Sequence, residues 1–420
     1  MTAGPPRLSG LPGLSRLPRL SKGQGPGGST MLVAVLVLAS AALGLVAAFT
    51  VPAGLPYDEP AHWANALYLA EHGALPVLGD PGVGYEGQQA PVFYLAAAGI
   101  VRLCGSGETG FAAVRLLGVL GGVVLVWLVA RILRRVTPGH PAVIVAGTAF
   151  VALNPMLIVM SASVQNDTWA LVAGFGALLV AIGGSGAHPW GRGAAIGLLS
   201  ALAVMVKISI APLVLGVLVV LLARRRWREA LAASVVTALG CGWWVLRNLA
   251  LYGDLTGQAG VDAAGYHFAA GGTTPFALAR EALTYLALPD EYLRNAFSAP
   301  VWIDALVVLL GMVIAAGAVA LAAVTRGRVR GLPLVFVAVA GIGSVAAWLL
   351  QVALGWHVAF RTAYGVLPLA ASAFGAVVLW AARPRTQAIV CAALIALLCV
   401  LCGWTGVQIA EVAGRISPAL

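Results

Sequence analysis

Charged residues are scarce in this chain, where they make up only 10% of 420 residues. A soluble globular domain carries about 25% charged residues. Hydrophobic residues account for 60% of the chain, and the mean hydropathy is +0.95. A chain of this composition has too little polar surface to cover itself in water, so lipid must be its solvent. A soluble fold is excluded, and we expect no nucleic-acid partner despite the net charge of +10.

Two further features are missing from the sequence. We see no internal repeat, which disfavours a transporter built from inverted repeats. The cysteines also form no disulfide framework, since all of them lie in or beside apolar runs and are interpreted as small core hydrophobes. Cys399 and Cys402 share one helix face, but no histidine or acid lies near them. We therefore predict no metal site at these two cysteines.

The first 30 residues are rich in Pro, Gly, Ser and Arg and contain no acid. They predict a disordered, basic cytoplasmic tail. The apolar run 31–50 that follows has about the length that crosses a bilayer core. A signal peptide is the alternative, but no convincing small-x-small cleavage site precedes Tyr57. We interpret the run as a signal anchor.

Long apolar runs continue through most of the chain and predict an all-α integral membrane bundle of about 11 transmembrane helices. The short run 91–103 is predicted to be an interfacial helix of the first outer loop. Runs 193–207 and 209–223 are also short, and they could instead form a re-entrant hairpin. The predicted organisation is a polytopic domain 31–404, a first outer loop 51–110, a large outer loop 250–300 and a short outer tail 405–420. The other predicted spans lie near 111–131, 141–160, 167–183, 231–248, 301–324, 332–353, 363–381 and 387–404.

The charges predict the orientation of these helices. With the N-terminus inside, the inner loops receive most of the 25 basic residues, as the positive-inside rule requires. Among the 15 acids, only Glu229 falls inside. An outer-face active site is one explanation for that segregation. Lysine occurs only at Lys22 and Lys207, while Ala and Gly abound, which indicates a high-GC bacterial genome and a bacterial plasma membrane protein.

The first outer loop carries an acidic pair at a predicted helix start. Asp58 and Glu59 precede Pro60, and proline favours the first turn of a helix. We predict a helix over 60–72 that is closed at Gly73. Asp58 then lies at the helix N-terminus, where the dipole stabilises a carboxylate, and His62 shares its face. Asp58 could be only a cap, or it could be a functional base.

A second acid, Glu86, follows in the segment YEGQQAPVFY, again just before a helix that begins with proline. Two carboxylates held at helix starts on one outer loop could provide a catalytic base and metal ligands. We therefore predict Asp58 and Glu86 as candidate ligands of a divalent metal ion.

Polar residues recur at the predicted outer ends of other helices. Asn166 and Asp167 open one helix, and Lys207 separates two apolar runs. Arg247 and Arg361 lie at two further helix ends. Ionisable residues at membrane depth are usually functional, although each cation alone could extend to the headgroups. Together they suit a ligand that carries phosphate.

Taken in order, these motifs resemble the GT-C superfamily of membrane glycosyltransferases, particularly its protein O-mannosyltransferase and aminoarabinose transferase branch, which is family 39-like. The resemblance spans about 57 to 370. The motifs that carry it are YDEPAHW, YEGQQAPVFYLAAAG, the ND helix start, VKIS, WWVLRNLALYGD and RTAYGVLPLA.

The resemblance implies a GT-C-like bundle and an inverting hexosyl- or pentosyltransferase. Such an enzyme takes a sugar from a polyprenyl-phosphate donor in the membrane lipid and passes it to a glycan, lipid or protein acceptor on the extracytoplasmic face. Alternatives are a transporter or flippase of lipid-linked precursors and an inactive binding subunit. The implied catalytic residues are Asp58, Glu59 and Glu86, and the implied substrate-binding residues are His62, Gln89, Asn166, Asp167, Lys207, Arg247 and Arg361.

Overall fold

The computed structural model describes residues 26–183, 188–265, 274–325, 333–356 and 358–415. Helices form most of the described structure, which confirms the all-α prediction. Short 3-10 helices occupy Ile208–Ile210, Phe360–Val366 and Val377–Trp380. The α-helices are α1 Pro26–Thr50, α2 Glu59–His72, α3 Val92–Cys104, α4 Glu108–Val136, α5 Pro141–Ala152, α6 Pro155–Ser161, α7 Asp167–Ile182, α8 Pro189–Val206, α9 Ala211–Ala223, α10 Trp227–Tyr252, α11 Gln258–Ala263, α12 Pro275–Tyr285, α13 Val301–Thr325, α14 Pro333–Ala353, α15 Leu367–Ala376 and α16 Pro384–Arg415.

Within the described ranges, eight helices are long and apolar enough to cross a membrane, by length and composition. The count becomes nine if α5 and α6, which are bent by 53°, form one broken span. The apolar segments Asp167–Ile182 and Ile208–Ala223 are shorter. At 1.5 Å per residue, α7 extends only about 24 Å, less than a bilayer core of about 30 Å. The count of about 11 therefore stays a prediction. Helix α8 extends about 27 Å by the same measure and is followed by the shorter segment Ile208–Ala223, so the re-entrant hairpin at 193–223 stays an alternative prediction.

Two predicted boundaries differ from the structure. Helix α1 already begins at Pro26, inside the predicted tail, while residues 1–25 lie outside the described part of the chain. Helix α16 continues to Arg415, so most of the predicted outer tail 405–420 is helical. Glu411 and Arg415 form an i,i+4 ion pair at 3.6 Å, which supports the last turn.

The interfacial helices of the first outer loop agree closely with the sequence. Helix α2 ends at His72, and Gly73 adopts the left-handed conformation with φ of 64°, which glycine reaches without steric cost. Helix α3 has 13 residues, too few to span. The two helices pack on each other and precede α4, so they lie beside the start of that span.

Small residues bring α8 and α10 close together. Gly193 and Gly197 lie one turn apart on α8, and a Cβ added at either would collide with the backbone at Glu229 or Ala233 of α10. Such spacing of small residues lets membrane helices approach closely, as in GxxxG pairs. This close packing fixes α8 against α10. It thereby also fixes the position of Lys207, which directly follows the last residue of α8.

Glu229, the acid assigned to the inner side, has a structural explanation. Its side chain is buried and pairs with Arg192 at 3.4 Å and with Arg226. Arg226 also donates to the carbonyl of Ala181 at 2.7 Å, near the C-terminal end of α7, where cations are favoured. Glu229 therefore neutralises arginines that cap a helix end.

We expect the first outer loop to be extracytoplasmic. In a cysteine-free background, Ala74→Cys should react with an impermeant thiol reagent on intact cells, because Ala74 is exposed beyond α2. Ala382→Cys, also exposed but in the loop before α16, is the matched control and should react only after permeabilisation. The reverse labelling pattern would invert the orientation.

Candidate active site

The carboxylate of Asp58 is buried, with 4% of the residue exposed. Asp58 occupies the N-cap position of α2, yet its side chain makes no capping hydrogen bond. Instead, the Tyr85 hydroxyl donates to Oδ1 at 2.7 Å, and Arg361 forms an ion pair with Oδ2. The contacts of Asp58 therefore do not support the interpretation that it is only a cap.

Arg361 extends this pair into a chain of charges. Its guanidinium lies 3.7 Å from Asp167, and the Lys207 ammonium lies 2.7 Å from the other oxygen of Asp167. The guanidinium also stacks over the Tyr292 ring, 5.1 Å from its centroid. All four charged side chains are buried. With two cations and two carboxylates, the network formed by Asp58, Arg361, Asp167 and Lys207 is neutral as a whole, which offsets part of the cost of burying it.

A break in the helical path places Lys207. Helix α8 ends at Val206, and Lys207 is extended, with φ of −156°. The Asn166 amide donates to the freed carbonyl of Val206 at 3.2 Å and to Gln89 at 3.4 Å. Asp167 is the first residue of α7, where the helix dipole favours a carboxylate. The Asn166 side chain therefore links the break after α8 to Gln89 of the first outer loop.

Glu86 and His62 lie beside this network. The Gln89 amide donates to Glu86 at 2.6 Å, and burial raises the pKa of Glu86 although Lys207 and Gln89 act in the opposite direction. His62 is fully buried, and burial, with a smaller contribution from Lys207, lowers its pKa well below the usual value. The imidazole is therefore neutral at pH 7, as a metal ligand must be.

The side chains of Asp58, His62 and Glu86 could together hold a metal ion. One ligand atom from each lies within 4.8 Å of the others. His62 Nδ1 contacts the Tyr94 hydroxyl at 2.6 Å, whereas the buried Nε2 has no hydrogen-bond partner within the described structure. Imidazole nitrogen and carboxylate oxygen are both zinc ligands, and catalytic zinc sites use three protein ligands. The donor set fits a divalent ion and adds His62 to the predicted ligands.

Glu59 has a different environment from its neighbour Asp58. It is fully buried and accepts two hydrogen bonds from Arg115, at 2.8 and 2.7 Å. The backbone N–H groups of Gly54 and Val164 donate to the same carboxylate at 2.9 and 2.8 Å. Each oxygen of the Glu59 carboxylate therefore accepts one hydrogen bond from Arg115 and one from a backbone N–H group. This geometry favours a structural role for Glu59 over the predicted catalytic one.

Arg247 contacts another part of the first outer loop. Its guanidinium donates to the carbonyl of Pro76 at 2.8 Å and stacks on Trp244, 4.6 Å from the ring centroid. Among the described residues it has no ion pair with the carboxylates of the charged network. Of the three predicted phosphate-binding cations, Lys207 and Arg361 are thus brought together, and Arg247 stands apart.

Sequence reasoning missed four residues of the site. Tyr85 directly precedes Glu86 in a motif already singled out, so its position was a usable signal. Arg115 is a lone arginine inside an apolar run, which is itself a signal of function or pairing at membrane depth. Tyr94 and Tyr292 carry no signal, because a buried tyrosine in an apolar segment has the same pattern as a packing residue.

The comparisons with known proteins concern the family and the fold. The sequence profile of the dolichyl-phosphate-mannose-protein mannosyltransferase family matches residues 88–246. That segment includes Asn166, Asp167 and Lys207 but not Asp58 or Arg361. No curated protein sequence matches the chain.

Solved structures share the architecture. The chain is similar to ArnT from Cupriavidus metallidurans bound to undecaprenyl phosphate, with 14% identity and a TM-score of 0.60 over 93% of this chain and 78% of that one. It is also similar to the apo oligosaccharyltransferase of Archaeoglobus fulgidus, with 15% identity and a TM-score of 0.58 over 92% of this chain and 56% of that one. The chain therefore has the fold of these structures, the GT-C-like membrane bundle that its sequence motifs predicted.

Proposed function

We propose that the protein is a membrane glycosyltransferase that moves a sugar from a polyprenyl-phosphate donor to an acceptor hydroxyl on the extracytoplasmic face. The observation that carries the proposal is the buried chain of charges from Asp58 through Arg361 and Asp167 to Lys207. It combines a candidate base with two candidate phosphate ligands, contributed by four distant segments. The undecaprenyl phosphate bound to the similar ArnT supports a lipid-phosphate donor.

The proposed reaction is a single displacement. The acceptor oxygen attacks the anomeric carbon, the bond from that carbon to the phosphate oxygen breaks, and the acceptor proton passes to Asp58. Polyprenyl phosphate leaves with its additional negative charge, which Lys207 and Arg361 neutralise. Attack opposite the leaving phosphate inverts the anomeric configuration.

The same contacts suggest how donor binding prepares the base. In this structure Arg361 is held by Asp58 and Asp167, and Lys207 is held by Asp167. A donor phosphate would compete for both cations, since charge-assisted hydrogen bonds to phosphate are strong. Loss of the Arg361 contact would leave Asp58 with Tyr85 as its donor, ready to accept a proton. Phosphate binding would thereby activate the carboxylate.

A divalent metal ion is part of the proposal. Asp58, His62 and Glu86 would hold it, and when bound it would supply positive charge beside the reacting groups. A structure of the oligosaccharyltransferase of Archaeoglobus fulgidus in complex with Zn and sulfate, similar to this chain with a TM-score of 0.55, supports this part of the proposal.

The function is tested with the purified protein in liposomes that contain a labelled polyprenyl-phosphate sugar. Release of polyprenyl phosphate with transfer of the label to an acceptor fraction is the expected result. Movement of the intact donor between leaflets without release of polyprenyl phosphate would support the flippase alternative. Binding with neither outcome would support an inactive binding subunit.

We expect Lys207→Gln and Arg361→Gln each to weaken undecaprenyl phosphate binding by about 1.5–3 kcal/mol, the scale of a hydrogen bond to a charged group. The two effects should be non-additive, because the cations share Asp167 in this structure and would share one phosphate. Titration of the folded protein in detergent, followed by native mass spectrometry, measures the affinities.

Arg247→Gln is the comparison variant, because Arg247 contacts Pro76 and Trp244 rather than the network. It should change the affinity much less. Lys207→Arg keeps the charge and controls for loss of the pair with Asp167. Equal losses in all three glutamine variants would mean that the phosphate does not lie between Lys207 and Arg361.

A further inference from the structure

A cavity lies between α1 and α4, at the end of these helices that is far from the charged network. Helices α1 and α4 enclose a cavity of about 400 Å³ near the last turn of α4. Arg131, which lines it, follows Arg115 on α4 by about 24 Å of helix at 1.5 Å per residue, and Arg115 binds Glu59 beside the candidate active site. The cavity is lined by Thr30, Val33, Ala34, Val37, Leu38, Trp127, Ala130, Arg131 and Arg134.

The lining is strongly divided between apolar and cationic groups. The α1 side and Ala130 supply small and aliphatic side chains, whereas α4 supplies Arg131 and Arg134. The Arg131 guanidinium lies 5.7 Å from the centroid of the Trp127 ring, one turn earlier on the same face. Trp127 is 48% exposed, so its ring reaches the outside of the bundle. The cavity therefore opens on the lipid-facing surface and ends in two cations.

No carboxylate in the described ranges forms an ion pair with Arg131 or Arg134. Glu229, the acid assigned to this side of the membrane, is already paired with Arg192 and Arg226. Two arginines three residues apart on one helix face concentrate positive charge at one end of the cavity. Their charge is complementary to an anionic group that comes from outside the protein.

We propose that this cavity binds one anionic phospholipid of the leaflet at the arginine-rich end, which the positive-inside rule makes the cytoplasmic leaflet. The headgroup phosphate pairs with Arg131 and Arg134, and an acyl chain lies along Val33, Val37 and Trp127. Basic pockets between transmembrane helices on this side bind anionic headgroups by the same chemistry. The site is separate from the proposed donor site and does not depend on the proposed reaction.

The competing explanation is that these arginines only orient the helix in the membrane. Arg135 provides the matched control, because it is exposed on the same turn of α4 and does not line the cavity. Orientation by charge would treat the three arginines alike. A lipid site would depend on Arg131 and Arg134 and not on Arg135.

The full-length protein is titrated in detergent with phosphatidylglycerol or phosphatidylcholine of identical chains, and bound lipid is counted by native mass spectrometry. We expect one phosphatidylglycerol to bind in preference to phosphatidylcholine. Removing each cation, by Arg131→Gln or Arg134→Gln, should weaken that binding roughly fivefold, on the scale of a basic residue at an anionic membrane surface. Arg135→Gln should change it less than about twofold. Arg131→Lys with Arg134→Lys should retain most of the preference.

Three results would overturn the proposal. Equal binding of the two lipids by the unmodified protein would show that headgroup charge is not recognised, and this measurement needs no variant to fold. An equal loss in Arg135→Gln would show a general effect of surface charge. Displacement of the phosphatidylglycerol by stoichiometric undecaprenyl phosphate would assign the cavity to the donor lipid instead.

Discussion

Replacing Asp58 with asparagine is expected to lower turnover by roughly 10²–10⁴-fold, the contribution of a positioned general base. Asparagine keeps the size of the side chain and accepts the hydrogen bond from Tyr85, but it removes the charge that pairs with Arg361. The fold should persist, since Arg361 keeps Asp167 as a second carboxylate partner at 3.7 Å and is not left buried without a counter-ion. Release of polyprenyl phosphate from a labelled donor measures the effect.

For the affinity of Asp58→Asn for the lipid phosphate, the structure predicts no loss. Because Asp58 holds Arg361 in this structure, removal of its charge should leave that cation freer for a phosphate. Asp58→Asn should therefore bind undecaprenyl phosphate at least as tightly as the unmodified protein while turning over far more slowly. A general loss of folding would lower both quantities together.

Glu71→Gln is the matched control, because Glu71 is an exposed carboxylate at the other end of α2. It should leave both turnover and binding unchanged. Near-normal turnover in Asp58→Asn would remove the base from the proposed reaction and favour the flippase alternative.

Much of the site could be predicted from the sequence, because local rules fix it. Pro60 and Gly73 define the ends of α2, so Asp58 had to lie at a helix start. Asp167 begins one apolar run, and Lys207 follows the end of the next one. Because successive membrane helices run in opposite directions, these two positions lie at the same side of the bundle. The cost of burying a charge without a partner then favours pairing of the carboxylate with the ammonium.

Other features depend on contacts that no local pattern encodes. Asp58 and Glu59 look like one acidic pair in the sequence, yet successive residues on a helix differ by about 100° in direction. One therefore meets Tyr85 and Arg361, and the other meets Arg115. Arg247, like Lys207, is a cation near the end of an apolar run. Its helix passes along the first outer loop, however, and Arg247 there contacts Pro76.

The number of spans illustrates a second limit. Hydropathy marks where apolar runs lie, and most predicted runs correspond to helices. It does not reveal that α5 and α6 are bent by 53°, because the bend arises where Asn154 and Pro155 interrupt the run. The Asn154 side chain accepts from Leu157 N at 3.1 Å and donates to Leu286 O at 2.6 Å. A long-range contact thus stabilises the break.

Replacing Arg115 with methionine is expected to destabilise the protein by about 3–5 kcal/mol, the scale for breaking a buried ion pair. Arg115 is 3% exposed and Glu59 is fully buried, so the variant would leave the Glu59 charge without its counter-ion. The guanidinium also donates to the carbonyls of Ala48 and Val51 at 3.0 and 2.7 Å, at the end of α1. Its loss should therefore loosen the first outer loop, as measured by unfolding in detergent micelles.

The double variant Glu59→Gln with Arg115→Met separates structure from catalysis. Gly54 and Val164 donate to different oxygens of Glu59 in the native protein, so the single oxygen of glutamine can still accept from one of them, and no unpaired charge remains buried. Stability should recover relative to Arg115→Met alone, because the two residues form one pair. If Glu59 only anchors the loop, turnover per folded molecule should recover with stability. A folded double variant without turnover would instead restore Glu59 to the catalytic residues, beside Asp58 and Glu86.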